Sequence, residues 1–195
     1  LQTGEWRLEL GFANMQHVCL YIPWANAPSR SGLFYHQINF MTLFPFANRD
    51  VPYHLFVFRL PLTPGAEQTL YLRFENEAAM TLSLTLWSVE AFARHSHSDT
   101  LFAGLLYGIL LIMLGYNLFL WLTLHEKGYL HYVLFVGAGA MFQLAISGFA
   151  GQYLWPNLPR LNLYAVPLWC MGAVFFSLTF GAAFLRTRIR APQQH

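Results

Sequence analysis

The first hundred residues alternate between polar and apolar side chains, and the remainder does not. Glu5-Trp6-Arg7-Leu8-Glu9-Leu10 alternates strictly, and Val18, Leu20 and Ile22 keep the same period. Leu70, Leu72 and Phe74 alternate against Thr69, Arg73 and Glu75, and Thr81-Leu82-Ser83-Leu84-Thr85-Leu86 is the cleanest run of all. A period of two sends successive side chains to opposite faces, so each run predicts a half-buried strand. Residues 55–60 (LFVFRL) are more continuously apolar and predict a central strand. Turn residues separate these runs: 26–32 around Pro28, Asn48-Arg49-Asp50, and Thr63-Pro64-Gly65. Short strands at this spacing predict an all-β sandwich, jelly-roll-like, over residues 1–92.

Beyond residue 100 the pattern becomes uniformly apolar. Residues 101–124 run for 24 positions without a charge. As a helix they would reach about 36 Å, enough to cross a hydrocarbon core of about 30 Å with some tilt. Similar stretches cover 129–149 and 161–185, the last containing Pro167. The sequence therefore predicts an α-helical transmembrane region over 101–190 with three spans. A connector at 93–100 precedes it and a short tail at 191–195 follows.

Charge sharpens this picture. Only 10% of the 195 residues are charged, and residues 101–185 hold just Glu126, Lys127 and Arg160. Ordinary soluble domains carry about a quarter charged residues. A single water-soluble domain, a disordered chain and a nucleic-acid binder are all excluded by this distribution. Residues 1–100 carry 8 acidic and 6 basic side chains, whereas 101–195 carry 1 acidic and 5 basic, three of these being Arg186, Arg188 and Arg190. The arginine cluster after the third span predicts a cytoplasmic C-terminal end. With three spans, the sandwich then lies outside, in the periplasm or extracellular space of a bacterial inner membrane. The chain opens at Leu1 inside a strand pattern with no basic-then-apolar leader, which predicts further strands upstream. Cys19 and Cys170 fall on opposite sides of this division, so no disulfide framework is expected.

Several motifs together resemble a known family. In the membrane half these are Tyr116-Asn117-Leu118-Phe119, Tyr129-Leu130-x-Tyr132, and Gly148 followed by Gln152-Tyr153-Leu154-Trp155-Pro156. In the strand-rich half they are Val51-Pro52 with Phe56-Val57-Phe58, Pro64-Gly65 with Thr69-Leu70-Tyr71-Leu72-Arg73, and Leu84-Thr85-Leu86-Trp87-Ser88. In this order and spacing the chain resembles bacterial seven-transmembrane receptors with diverse intracellular signalling modules, carrying the second type of extracellular domain of that family. The resemblance covers nearly the whole chain. It implies a sensory receptor whose outer domain binds a small ligand, carbohydrate being one candidate, and passes the signal through membrane helices to a cytoplasmic output module. The family has seven spans and this chain supplies three, and no output module follows Arg190.

The candidate chemistry is sparse. Asn117 and Gln143 are polar residues inside spans, each read as an interhelical hydrogen-bonding group before a functional one. Gly104-x-x-x-Gly108 would permit a close helix contact, and with it a homodimer. His95-x-His97-x-Asp99 has ligand-type side chains but no third or fourth partner in view, so it is read as a solvated connector. Ser147-Gly148 invites comparison with intramembrane serine proteases. However, Ala145 stands where those require glycine, and no histidine occurs between His131 and His195 to activate the hydroxyl. Trp24, Tyr35, Tyr53 and Trp87 could stack on a sugar ring, though aromatics in a small sandwich usually pack. Glu75 and Glu77 would lie about 6.6–6.8 Å apart on one strand face, within range of a glycosidase pair. They fall where the strand runs out, without an aromatic neighbour, and read as a solvated strand end. No catalytic, metal or cofactor residue is assigned, and the ligand-binding residues stay unnamed. The expected partners are membrane lipids and a small ligand. A transporter or channel accessory subunit is the rival reading, poorly supplied with Asn117, Gln143 and His131 as its polar groups.

Overall fold

The computed structural model describes residues 4–23, 35–41, 45–62, 65, 67–76 and 81–190. Among the described residues six strands come first: β1 (Glu5–Leu10), β2 (His17–Pro23), β3 (Tyr35–Met41), β4 (Phe56–Pro61), β5 (Tyr71–Glu75) and β6 (Leu84–Ser88). Three helices follow: α1 (Val89–Leu124), α2 (Lys127–Ile146) and α3 (Pro159–Arg190). The strands form two antiparallel three-stranded sheets, ordered β4-β1-β6 and β3-β2-β5. The two most clearly amphipathic early strands, β1 and β2, are thus the central strands of their sheets.

Register explains the sandwich. Leu8 stands opposite Phe58 on one side and Leu86 on the other, and Val18 opposite Phe40 and Phe74. The inward residues of both sheets, Leu8, Leu10, Val18, Leu20, Phe56, Phe58 and Leu60, join Met15 in one buried cluster. Each large side chain so buried contributes about 1.5–3 kcal/mol. β6 continues the β4-β1 sheet beyond this cover, since Leu84 and Leu86 are 46% and 47% exposed.

The chain divides into two compact units. The first is Leu1–Ser96 together with Ser147–Leu163, and the second is His97–Ile146 together with Tyr164–His195. The segment joining α2 to α3, read from the sequence as the link between the second and third spans, falls in the same compact unit as the sandwich. Residues 93–100, read as a connector, are helical and continuous with the first span. The strand expected over 81–86 begins at Leu84 and ends at Ser88.

In the second unit, three helices are long and apolar enough to cross a membrane. At 36 residues α1 would measure about 54 Å, so its apolar portion is only part of its length. Small residues sit where neighbours approach. A Cβ on Gly137 would stand 3.9 Å from the Leu114 side chain, and one on Gly172 would stand 3.9 Å from Ala138 Cβ. Such close packing is how apolar helices associate where water provides no driving force. Phe135 stacks on Phe180, and Tyr132 meets the same ring edge-on.

Candidate functional site

Within the first unit, the start of α1 and the segment 147–163 both pack on the sandwich, and both follow from local sequence. The first is the start of α1. Ser88 ends β6 and also caps the helix, its Oγ accepting from the Ala91 amide at 3.2 Å. Serine at this position satisfies a donor that the first helical turn leaves free, and Glu90 complements the positive end of the helix. No loop therefore intervenes between strand and helix. The first turns of α1 lie on the outer face of the β4-β1-β6 sheet. Phe92 packs on Val57 and Tyr53, meeting the Tyr53 ring edge-on at 5.2 Å. His95 stacks on Trp87 at 4.7 Å and brings Nε2 to 3.9 Å from the carboxylate of buried Glu9.

The second place is the segment 147–163. Gly148 takes φ +85°, a backbone conformation that side chains resist. A Cβ there would fall 2.6 Å from the His54 carbonyl oxygen and 2.7 Å from Ala13 Cβ. Glycine is thus required twice, for the turn and for the approach. Phe149 then stacks on His54 at 4.2 Å with 20° between ring planes, and the Phe46 amide donates to the Pro156 carbonyl at 3.0 Å. The segment is also tied to itself. A π-helical turn covers Ala150–Leu154, and the Trp155 indole donates to Asn162 Oδ1 at 2.6 Å.

Arg49 organises the receiving surface. Its Nη1 donates to the carbonyls of Tyr53, His54 and Leu55 at 2.8, 3.0 and 3.2 Å. The guanidinium lies over the rings of Phe46 and Phe56, 4.9 and 4.4 Å from their centroids. Burial pushes its pKa down from the ordinary arginine value to about 10, which leaves it charged at neutral pH. Arg49 therefore folds 46–56 into the loop that carries both His54 and Phe46. The sequence reading saw only a turn at 48–50. The available signal was a lone cation among Phe46, Tyr53 and Phe56.

The other candidates disperse. Tyr53 is buried under Phe92, and Trp87 is covered by His95. Tyr35 lies on β3 with its side chain outside the described residues, as are Trp24 and Glu77. Glu75 pairs with Arg73 and stands 3.5 Å from His17. Among the described residues no group of three His, Cys, Asp or Glu side chains is placed to hold a metal ion. Asn117 donates to the Met113 carbonyl of its own helix at 2.8 Å, so the interhelical bond expected of it is replaced by a local one. Thr123 donates to Phe119, His131 Nδ1 meets the Lys127 carbonyl and Thr179 donates to Phe176, likewise within their own helices. A Cβ added at Gly104 or Gly108 would meet nothing within 4 Å.

Comparison with known proteins divides the chain near the start of α1 and keeps 147–163 with the membrane region. Residues 2–88 match the family model described as 7TMR-DISM extracellular 2, and residues 99–194 match 7TM diverse intracellular signalling. Together they cover nearly the whole chain. The chain belongs to the 7TM diverse intracellular signalling family. No curated protein and no solved structure matches. The boundary between the two family models, at 88–99, falls within the first turns of α1 and the end of β6. The family's extracellular and membrane regions are thus joined here without a loop. The motif Gly148 with Gln152 to Pro156, which carried part of the resemblance, is the segment that docks on the sandwich.

Proposed function

We propose that this chain is the sensory part of a membrane receptor, in which the outer sandwich takes a small polar ligand and the helices carry its effect inward. Carbohydrate is the first class to test, bound without chemical change. The supporting observation is the direct passage from β6 into α1, with Phe92 and His95 packed on the sheet that β6 completes. A ligand that favours one arrangement of that sheet has a path to the helix, provided it binds the two arrangements with different affinity.

Orientation belongs to the same proposal. The sandwich and the 147–163 segment share one unit, and two spans separate them, so both stand on one side of the membrane. The arginines at 186, 188 and 190 favour the opposite, cytoplasmic side of a bacterial inner membrane for the C-terminal end. The rival reading, an accessory subunit lining a polar pathway, is disfavoured because Asn117, Thr123, His131 and Thr179 bond to their own helix backbones.

The test uses the full chain in lipid nanodiscs against a panel of mono- and oligosaccharides. Saturable binding without product, accompanied by altered amide exchange at residues 89–96, is the expected result. Turnover would make the protein an enzyme. Binding with no change at 89–96 would leave α1 outside the signal path, and no binding to any sugar would remove carbohydrate.

A further inference from the structure

We infer that the exposed face of the 147–163 segment is a lipid contact: Tyr153, Leu154, Leu158 and Leu161 rest at the headgroup–acyl boundary of the bilayer, with Arg160 at the level of the phosphates. The segment has two unlike sides. Phe149, Ala150 and Gly151 are buried. Tyr153, Leu154 and Leu158 are 61%, 51% and 58% exposed, and Leu161 is exposed with them. Surfaces that face only water rarely gather large apolar side chains in so short a stretch. Tyr153 is held in place, since its ring lies parallel to Phe149 at 6.3 Å, on a ring that itself stacks on His54. Trp155 keeps its indole N–H on Asn162 Oδ1, so that polar atom is satisfied without water.

Chain continuity says what covers this face. Ile146 ends α2 and Pro159 opens α3, and both helices are long and apolar enough to cross a membrane. The segment therefore stands at the ends of two spans, the depth at which aromatic residues with apolar neighbours collect. Charge fits the same surface. Arg160 is exposed and is the only charged residue between Lys127 and Arg186, so no acid competes with a lipid phosphate for its guanidinium. This boundary is the hydrated margin of the bilayer, and water-soluble reagents still reach it. The inference rests on α2 and α3 crossing the membrane and is independent of which ligand the sandwich binds.

Fluorescence quenching by spin-labelled lipids reads the depth directly. Leu154→Cys and Leu158→Cys are made separately in the full chain with Cys170→Ser, and each is labelled with a thiol-reactive fluorophore. The labelled chains are placed in phosphatidylcholine–phosphatidylglycerol vesicles that carry the spin label at the headgroup, high on the acyl chain or near its end. Leu111→Cys, in the middle of the first span, and Glu67→Cys, between β4 and β5, mark the extremes. Trp6 pairs with Leu60 whereas Leu10 pairs with Phe56, close to the Ala13 and His54 that Gly148 approaches. Glu67, which follows Pro61, is thus beyond the end of β4 remote from the segment. The probes at 154 and 158 are expected to lose fluorescence to the headgroup and upper-chain labels, at depths within about 5–10 Å of the headgroup–acyl boundary. The probe at 111 should respond most to the chain-end label and the one at 67 to none. Quenching at 154 and 158 no greater than at 67 would put the face in water or under another protein and overturn the inference. Strongest quenching by the chain-end label would place the segment in the hydrocarbon core and overturn it as well.

Discussion

Replacing Arg49 by methionine should unfold the outer unit at markedly lower temperature while leaving the helices in place. Methionine keeps most of the apolar stem between Phe46 and Phe56 but removes the donor shared by the carbonyls of Tyr53, His54 and Leu55. A hydrogen bond from a charged group contributes about 1.5–3 kcal/mol. One nitrogen carries only two hydrogens, so two full bonds are counted, or about 3–6 kcal/mol. Desolvation of the guanidinium, visible in its lowered pKa, offsets part of that. The lower end, about 3 kcal/mol, is the expected loss. For a unit near 100 residues each kcal/mol moves the midpoint by about 4–8 °C, so the shift should be roughly 12 °C or more. The chain offers its own reporter. Cys19 on β2 is 2% exposed, and a thiol-reactive dye is expected to reach it only on unfolding. Cys170 is exposed and is replaced by serine in the background. Arg73→Met serves as the control, since Arg73 is 66% exposed in its pair with Glu75 and should move the midpoint by under about 2 °C. An Arg49→Met shift no larger than that of the control would refute the role given to Arg49.

The same buried cation predicts how the defect depends on pH. Its folded pKa, about 10, lies below the ordinary arginine value, so the unfolded state binds more protons only from about pH 10 upward, and stability from this group rises with pH there. Below about 10 both states are protonated, and the midpoint difference between parent and Arg49→Met should be flat from pH 5 to 8.5; a slope would mean that another group titrates with it. Phe58→Ala removes a side chain with no exposed surface from the shared core and should cost about 3–5 kcal/mol, read in the same dye assay. Asn117→Leu removes only a bond to its own helix, so insertion and melting should change by less than about 1 kcal/mol; a large loss would restore an interhelical role.

The strands and spans were legible because each has one strong period or one long apolar run. β1, β2 and β5 fall where alternation put them, with β1 and β2 central because both of their neighbours present matching apolar faces. β4 falls where the continuous apolar run put it, but among the described residues it ends its sheet rather than lying at the centre as expected; the run is apolar because both faces are buried, Phe56, Phe58 and Leu60 in the core and Val57 against Phe92. β3 was missed, since Tyr35-His36-Gln37-Ile38-Asn39 offers too few apolar positions to show a period. The start of α1 was missed for a related reason. Residues 89–100 are mostly polar, and the single large apolar side chain among them that docks on the sheet, Phe92, sets no helical spacing. Arg49 left only the faint signal of a cation among aromatic residues, because its hydrogen-bond partners are backbone carbonyls, which every residue possesses. The docking of 147–163 was equally hidden. A glycine, a stacked ring and one amide bond join positions nearly a hundred residues apart, and no local pattern records such a contact.

Labelling of the full chain in intact cells with a membrane-impermeant maleimide tests the shared sidedness of the sandwich and the 147–163 segment most directly. Single cysteines are placed at Asn48 beside the Arg49 loop, at Leu158 in the 147–163 segment, and at Glu126 between α1 and α2. All three positions are exposed or partly exposed. The account predicts that the cysteines at 48 and 158 react and the one at 126 does so only after the membrane is permeabilised. Reaction at 126 in intact cells, or protection at 158 while 48 reacts, would contradict it.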